Sequence, residues 1–390
     1  MIHRNQDSWK LAASAAVLAL VCFGTANAVR AADNAASTSL AQAPSEWGEE
    51  WDKTLALAKK EGSVSVALGS STLRETRPVW DIFQKKFGVK VVVSGGTGSS
   101  VTKRILAERA AKRTEVDIVG IGTASVLTEL IPNNLTAPIE PLLFLPEVVD
   151  NSVWWEGKRW YADPEQKYLI MYTLIPGDSG IGINTNLVKD GDIQSYWDVF
   201  NPKYDGKRVS GALSVSQGAN SIADMVALVG GDWLTRWIKS KPIFVADSDI
   251  GINYLIEGRA ALGMFLSGEL QNFDALAEKG APIKRIITPM KEGNRAGRGN
   301  CCFAAIANPP HPNAQKLILN WLMSKEGQLL LQDYNDRSNS PREDIPKDKL
   351  AADVLRTPGA QYILMTQMPN YNEQFKEAMD IVKKAQAEIK

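Results

Sequence analysis

Three predicted strands, each followed by a loop of small polar residues and then by a helix, constrain the fold of this chain more than any other feature. The strands lie at 63–68, 89–93 and 116–120, and apolar residues recur at helical spacing after each of them. Because strand–helix–strand units close as right-handed crossovers, this alternation predicts a parallel sheet covered by helices on both faces.

A second set of strand–helix units follows an aromatic segment. Tryptophan and tyrosine side chains crowd residues 151–175, and the chain breaker Pro176-Gly177 comes next. Further strands are predicted between residues 207 and 266, and residues 312–390 are predicted to be mostly helical. The predicted fold class is therefore α/β, with two lobes that each contain a mostly parallel sheet flanked by helices.

Residues 1–28 have the layout of a secretory signal peptide. Their start is positively charged, an apolar run occupies residues 11–23, and a small-x-small cleavage site ends at Ala28. We therefore expect an exported protein that works in the periplasm, with a disordered leader at 29–45; a buried N-terminal helix is the alternative. Cys22 lacks the small preceding residue that is typical of a lipidated cysteine, so lipid anchoring there is not favoured.

The charge balance and the scarcity of histidine exclude several classes of function. The 44 lysine and arginine residues are balanced by 44 aspartate and glutamate residues, so there is no electrostatic case for nucleic acid. His311 is the only histidine beyond the predicted signal peptide, which argues against a histidine-based metal site. His311 lies in a proline-rich turn, and we interpret it as the start of a helix rather than as a catalytic base.

The sequence lacks the common catalytic and cofactor motifs. Gly96 and Gly98 do not form a dinucleotide fingerprint, because Val101 stands at the third glycine position. Neither a phosphate-binding loop nor a nucleophile elbow occurs. We therefore expect no cofactor and no catalysis. The adjacent Cys301 and Cys302 leave three alternatives open: two buried apolar residues, a vicinal disulfide or a nucleophilic thiol.

The loops at the predicted strand ends are rich in glycine, serine and threonine. Ligands of parallel sheets bind at the carboxyl ends of the strands, beside helix N-termini whose free N–H groups favour an anion. Ordinary turn chemistry and helix capping are the alternative for any single loop, but three loops that converge on one edge favour a site. The predicted ligand-binding residues are Ser70, Ser71, Thr97, Gly98, Ser99, Thr123, Ser216, Gln217, Ser267 and Gly268.

Short segments in a fixed order along the chain carry a resemblance to a known family. They are AKKEG at 58–62, FGVKV at 87–91, GINTNLV at 182–188, SYWD at 195–198, NPKYDGK at 201–207, HPNA at 311–314 and SKEGQ at 324–328. In these segments the chain resembles the extracellular solute-binding proteins of bacterial ABC importers, in the cluster that includes ferric-iron-binding proteins.

The resemblance implies a fold in which hinge strands join two lobes around a ligand cleft. Lobe 1 is then expected at 46–172 and 262–310, and lobe 2 with the C-terminal helices at 178–260 and 311–390. The resemblance also implies a function. Such a protein, expected to be a monomer, captures a small-molecule solute, closes by a hinge motion and delivers the solute to the permease subunits of the importer.

One departure from the family bears on the ligand. In the ferric-binding members an adjacent tyrosine pair follows the strand predicted here at 260–266, whereas this chain has Ser267-Gly268-Glu269. Because tyrosinate oxygens suit the hard Fe³⁺ ion, their replacement favours a small polar or anionic organic solute. Two alternatives stay open: a ferric-iron-binding transport protein, and an exported enzyme that uses Cys302 or Glu269.

Charged and aromatic side chains are expected to complete the ligand site. Arg74, Arg298 or Arg337 is expected to supply positive charge. The aromatic residues around Trp155 and Trp160 either stack on the organic part of the ligand or pack at the junction of the lobes.

Overall fold

The computed structural model describes residues 47–177, 179–213, 219–266, 270–297, 300–334, 338–368 and 370–389, and the predicted signal peptide and leader lie outside them. The helices are α1 (Glu49–Glu61), α2 (Ser70–Phe87), α3 (Gly98–Ala110), α4 (Thr123–Ser125), α5 (Pro146–Val149), α6 (Ala219–Val229), α7 (Gly231–Lys239), α8 (Ser248–Ile256), α9 (Leu270–Glu278), α10 (Pro312–Met323), α11 (Lys325–Asp333) and α12 (Tyr371–Ile389). The strands are β1 (Ser63–Gly69), β2 (Lys90–Gly96), β3 (Ile118–Gly120), β4 (Thr136–Ala137), β5 (Ile170–Met171), β6 (Ile181–Asn184), β7 (Arg208–Gly211), β8 (Ile243–Val245), β9 (Leu262–Met264), β10 (Ile283–Arg285), β11 (Asn294–Arg295), β12 (Cys302–Ile306) and β13 (Tyr362–Ile363).

Lobe 1 surrounds the first sheet, whose strand order is β2-β1-β3-β12-β4, with β5 paired to β12. Strand β1 runs parallel to β2 and β3, and β12 runs antiparallel to β3. Successive side chains of β1 enter different cores: Val66 joins Trp80 and Trp321, and Ala67 joins Ile105. Burial on both faces is what helices on both sides of a parallel sheet require, so the predicted β-loop-α pattern is confirmed.

Lobe 2 surrounds the second sheet, whose strand order is β10-β6-β9-β7-β8. Strand β9 runs parallel to β7 and antiparallel to β6. The stacked rings of Trp233 and Trp237, with centroids 5.7 Å apart, lie in the core on one face, and Leu255 and Phe273 lie in the core on the other face. Helix α12 packs against α6 and α7 and buries Val382 in the first of these cores.

Strand β2 is longer than predicted. Its parallel register with β1 continues until Gly96 stands opposite Gly69, so the strand includes the two glycines that the sequence suggests for a loop. A Cβ on Gly95 would lie 2.7 Å from a methyl carbon of Leu73, so the bare backbone lets α2 pack closely on the strand. Tertiary pairing thus overrides the low strand propensity of glycine.

In the described ranges, three segments cross between the lobes. The first, residues 172–180, links β5 to β6; the second, residues 286–301, links β10 to β12; the third links α11 to α12. The first and second crossings are joined by an antiparallel bridge between Pro176 and Ala296, and β11 of the second crossing pairs in parallel with β13 of the third. In the described part of the chain, no helix is long and apolar enough to cross a membrane.

The lobe boundaries differ from the sequence-based ones in two places. The sequence places residues 262–285 in lobe 1, but β9 is hydrogen-bonded between β6 and β7 in the second sheet, and β10 forms its edge. The sequence also places α10 and α11 in lobe 2, whereas Leu317, Trp321 and Leu331 of these helices lie in a lobe 1 core. The chain therefore returns to lobe 1 at 286–301, not at residue 262.

His311 occupies the N-cap position of α10, as expected for a residue that begins a helix. Its Nδ1 lies 2.9 Å from Oδ2 of Asp117, and its Nε2 lies 3.3 Å from Oγ of Ser63. Burial raises the pKa of the Asp117 carboxyl above its usual value. Ser63 begins β1 and Asp117 immediately precedes β3, so this group lies at the amino ends of the strands, opposite the predicted ligand loops.

Candidate functional site

The carboxyl ends of β1, β2 and β3 lie level with one another at one edge of the first sheet. Gly69 pairs with Gly96, and Leu68 pairs with Gly120, so the three following loops begin side by side. A Cβ on Gly98 would lie 2.5 Å from Oγ of Ser125, which places the loop after β2 against the helix after β3. The sheet edge therefore brings together the backbone of Ser70, Ser71, Thr97, Gly98, Ser99 and Thr123. That these residues bind a ligand stays a prediction.

The polar groups at this edge have different partners. Oγ1 of Thr97 accepts a hydrogen bond from the backbone N–H of Ser100, so this hydroxyl caps α3. Helix α2 has no capping side chain and no acidic residue in its first turn, and Ser70 is its first residue. Thr72, in the same turn, is 2% exposed, and its Oγ1 has no hydrogen-bond partner among the described residues. The start of α2 thus offers both helix N–H groups and an unused hydroxyl to a ligand.

The residues that lead into β12 meet the same edge. Oδ1 of Asn300 lies 3.8 Å from the position that a Cβ on Gly69 would occupy. Cys301 and Cys302 form a disulfide bond and are 2% and 1% exposed, which decides between the three alternatives that the sequence leaves open. Oγ1 of Thr123 lies 3.6 Å from Sγ of Cys301. The disulfide is therefore part of the packing beneath the lobe 1 loops.

A cavity of about 70 Å³ lies in lobe 2, where β9 ends and β6 begins. The cavity adjoins both faces of the sheet edge, since Met225 belongs to one lobe 2 core and Phe273 to the other. The polar residues that line it are Ser179, Ser221 and Arg295.

The backbone around this cavity takes an unusual path. Phe265 has a φ of +57°, in the left-handed region that a bulky residue rarely adopts. A Cβ on Gly211 would overlap the carbonyl oxygen of Phe265, so the last residue of β7 must be glycine for the strand to lie against this turn. Backbone in sparsely populated conformations is concentrated at ligand sites, and Phe265 precedes Ser267 by two residues in the sequence.

Arg295, a charged residue that lines this cavity, is not among the ligand-site residues that the sequence predicts. Its Nη1 lies 2.7 Å from Oδ2 of Asp224 on α6, and its side chain is 29% exposed. The Arg295 carbonyl oxygen accepts a hydrogen bond of 2.6 Å from the N–H of Gly177, which holds the residue between two crossings. These tertiary contacts fix Arg295 beside the cavity, whereas the glycine-rich run around it, GNRAGRGN at 293–300, gives no comparable local signal.

Four of the predicted ligand-binding residues lie outside the described residues. They are Ser216, Gln217, Ser267 and Gly268, and the charged Arg298 and Arg337 and the acidic Glu269 lie outside them as well. Arg74 is exposed on α2. Trp160 is buried in a lobe 1 core and donates its Nε1–H to the carbonyl oxygen of Trp155, and the guanidinium of Arg356 lies 4.7 Å from the Trp155 ring centroid. These contacts favour packing over ligand stacking for the two tryptophans.

Buried cations hold the third crossing to the first. Arg356 donates Nη1–H bonds to the carbonyl oxygens of Leu174 and Asn339, and burial lowers its pKa. Nζ of Lys347 donates to the Ser340 carbonyl oxygen at 2.8 Å, and burial together with the nearby Arg356 charge lowers the pKa of Lys347 to about 7. In the part of the chain that the structure describes, no cluster of three or more His, Cys, Asp or Glu residues could hold a metal ion.

Two α/β lobes, each with an antiparallel strand inserted in a largely parallel sheet, and three crossings define the two-lobed fold of periplasmic binding proteins. The Trichodesmium protein IdiA (FutA), solved in complex with iron and citrate, superposes with a TM-score of 0.59 at 18% identity, over 83% of this chain and 99% of that one. A Bordetella ferric binding protein gives a TM-score of 0.60 at 18% identity, over 83% and 98% of the two chains. Apo FutA2 from Synechocystis gives 0.57 at 15%, over 82% and 98%.

These similarities confirm the predicted fold class. No protein-family model matches the sequence, and no curated protein matches it.

Proposed function

We propose that this protein is the substrate-binding component of an ABC transporter and works in the periplasm as a monomer. It captures a small polar or anionic organic solute between its two lobes and delivers the solute to the membrane permease. One observation carries the proposal: the second crossing places Arg295 at the lobe 2 cavity and Asn300 at the lobe 1 loops, so a single segment serves both halves of the site.

The chemistry of both halves favours an anionic group on the ligand. In lobe 1 the uncapped first turn of α2 offers N–H groups at the positive end of a helix dipole, beside the unused hydroxyl of Thr72. In lobe 2 Arg295 lines a cavity whose other walls are mostly apolar. An anion binds Arg295 and the start of α2 more strongly than a neutral ligand would, and the apolar walls suit a short organic body.

Hinge closure between the lobes is the motion that such a site requires. The first and second crossings are bonded to each other at Pro176 and Ala296, and β11 and β13 join the second crossing to the third. A small rotation of paired crossings moves one lobe against the other while the cores of both stay intact. The closed, ligand-bound form then differs from the open form at the surface that meets the permease.

Ferric iron is the second candidate ligand, because the Bordetella neighbour is a ferric binding protein and the Trichodesmium neighbour was solved with iron and citrate. The chain has Ser267-Gly268 in place of the tyrosine pair, which weakens direct coordination of Fe³⁺. An enzyme that uses Cys302 as its nucleophile is not favoured, because the sulfur of Cys302 is bonded to Cys301 and is not a free thiol.

A thermal-shift screen of the purified protein tests the proposal. The panel contains amino acids, carboxylates, phosphonates, polyamines, thiamine, citrate, Fe³⁺ and Fe³⁺ with citrate. A ligand at 100 times its Kd adds about 2.7 kcal/mol to the free energy of unfolding. With an unfolding entropy of about 2.1 cal/mol/K per residue, the melting temperature of a chain of this size then rises by about 3 °C. We expect such a shift from an anionic organic compound, and recovery of that compound unchanged.

The same panel separates the alternatives. A shift with Fe³⁺ alone, accompanied by a tyrosinate colour, would favour the ferric reading. Consumption of a compound would favour an enzyme. A panel that produces no shift with any anion would contradict the proposed ligand class.

A further inference from the structure

The Cys301–Cys302 disulfide lies where the second crossing enters lobe 1. Five residues before it on the same segment, Ala296 bridges to the first crossing, and Asn300 directly precedes it at the lobe 1 loops. A bond between adjacent cysteines closes a small ring that includes their shared peptide, so it restricts the backbone at this point more than a bond between distant residues would. The ring therefore holds the junction between a crossing and the ligand loops.

The peptide held in this ring anchors the start of the first crossing. The Cys301 carbonyl oxygen accepts hydrogen bonds from the backbone N–H of Tyr172 at 2.9 Å and of Thr173 at 3.4 Å. The Tyr172 hydroxyl donates to the Asn300 carbonyl oxygen at 2.9 Å. Two of the three crossings thus meet at the disulfide, and their contacts depend on the position of its backbone.

The disulfide also supports the loop after β3. Sγ of Cys301 lies 3.6 Å from Oγ1 of Thr123, the first residue of α4. Both cysteines are almost fully buried among apolar residues that include Val119 and Ala304. Two sulfurs that are no longer bonded must move apart, and a close-packed interior passes such a movement on to its neighbours.

We propose that the Cys301–Cys302 bond is a redox-modification site that sets the geometry of the lobe 1 half of the ligand site. In the reaction a dithiol reductant gives up two electrons and two protons, the S–S bond breaks, two cysteine thiols form, and the reductant becomes a disulfide. Reduction loosens the anchor at Tyr172 and Thr173 and weakens ligand binding; reoxidation restores both. The effect on the ligand rests on the proposed function, whereas the effect on the anchor does not.

The test compares oxidised and reduced protein in the full chain carrying Cys22→Ser, which leaves Cys301 and Cys302 as the only cysteines. Native protein is incubated with dithiothreitol, and free thiols are counted after the reductant is removed. We expect two new thiols per chain. Amide hydrogen exchange is then followed residue by residue. We expect exchange at the backbone N–H groups of Tyr172 and Thr173 to accelerate at least tenfold on reduction.

Two controls make the result specific. Amides paired between β7 and β8, at the far edge of the lobe 2 sheet, are expected to keep their exchange rates. A Cys301→Ser, Cys302→Ser variant is expected to show the fast exchange with and without dithiothreitol. Any compound that the thermal-shift screen identifies is expected to bind the oxidised form at least fivefold more tightly than the reduced form.

Either of two outcomes overturns the inference. If no thiols appear when native protein is treated with reductant, the bond is a structural crosslink that resists reduction and not a modification site. If thiols appear while exchange at Tyr172 and Thr173 is unchanged, the bond does not control the anchor. A thermal-shift screen that finds no ligand would count against the proposed function. The hydrogen-exchange experiment would still decide the inference about the disulfide.

Discussion

Replacing Arg295 with methionine tests the charge that the site offers to its ligand. Methionine keeps much of the apolar stem and removes the guanidinium. A hydrogen bond to a charged group contributes about 1.5–3 kcal/mol. Loss of one such bond to an anionic ligand therefore raises Kd about 10- to 150-fold. Arg295→Lys keeps the charge without the planar fork, so its loss of affinity should be smaller.

The same change has a structural cost that the assay must separate from binding. Arg295→Met leaves the Asp224 carboxylate, which is 15% exposed, without its partner at 2.7 Å. Because water still reaches this group, we expect a loss of about 1–2 kcal/mol in the free energy of unfolding. Urea denaturation measures that loss, and titration calorimetry measures Kd on protein that is fully folded.

The control is Arg113→Met, which removes an arginine whose side chain is 68% exposed and pairs only with the exposed Glu115 in the described contacts. It should change neither Kd nor stability measurably. An Arg295→Met protein that folds and binds the anionic ligand with the wild-type Kd would refute the role assigned to Arg295.

Two further predictions concern the backbone near the cavity and the third crossing. Gly211→Ala should lower the free energy of unfolding by about 3 kcal/mol, because the added Cβ overlaps the Phe265 carbonyl oxygen. The control Ala212→Ser, at the exposed neighbouring position, should leave the midpoint of urea denaturation unchanged. Equal urea midpoints for the two variants would contradict this prediction. Lys347, with its pKa lowered from 10.5 to about 7, binds its proton more weakly in the folded state than in the unfolded chain, so the free energy of unfolding should rise as the pH goes from about 7 to 10. Lys347→Met should remove that part of the rise. If the variant and the wild-type protein show the same difference between their urea midpoints at pH 7 and pH 9.5, Lys347 is not responsible.

Local sequence patterns are enough to predict the strands whose apolar side chains are buried in a core. The strand predicted at 63–68 matches β1 except for Gly69, and the strand predicted at 116–120 contains β3. Apolar periodicity carries this information, because residues that share a face of a helix or strand must share a core. The end of β2 was missed, since two glycines extend the strand only because β1 lies beside them.

Long-range pairing explains what the sequence could not reveal. Nothing local distinguishes β9 as a central strand of lobe 2 from a strand that returns to lobe 1; its hydrogen bonds to β6 and β7 decide this. Arg295 becomes a site residue only through contacts with Gly177 and Asp224, which are distant in the chain. Adjacent cysteines permit a disulfide without requiring one, so the bond between Cys301 and Cys302 also needed the folded chain.

The most direct test of the proposed function is titration calorimetry of the wild-type protein with the strongest anionic hit, combined with small-angle X-ray scattering and recovery of the ligand. We expect one ligand per chain, a smaller radius of gyration in the bound state as the lobes close, and a ligand that is chemically unchanged. Binding that leaves the radius of gyration unchanged would contradict hinge closure, and conversion of the ligand into a product would contradict a transport role.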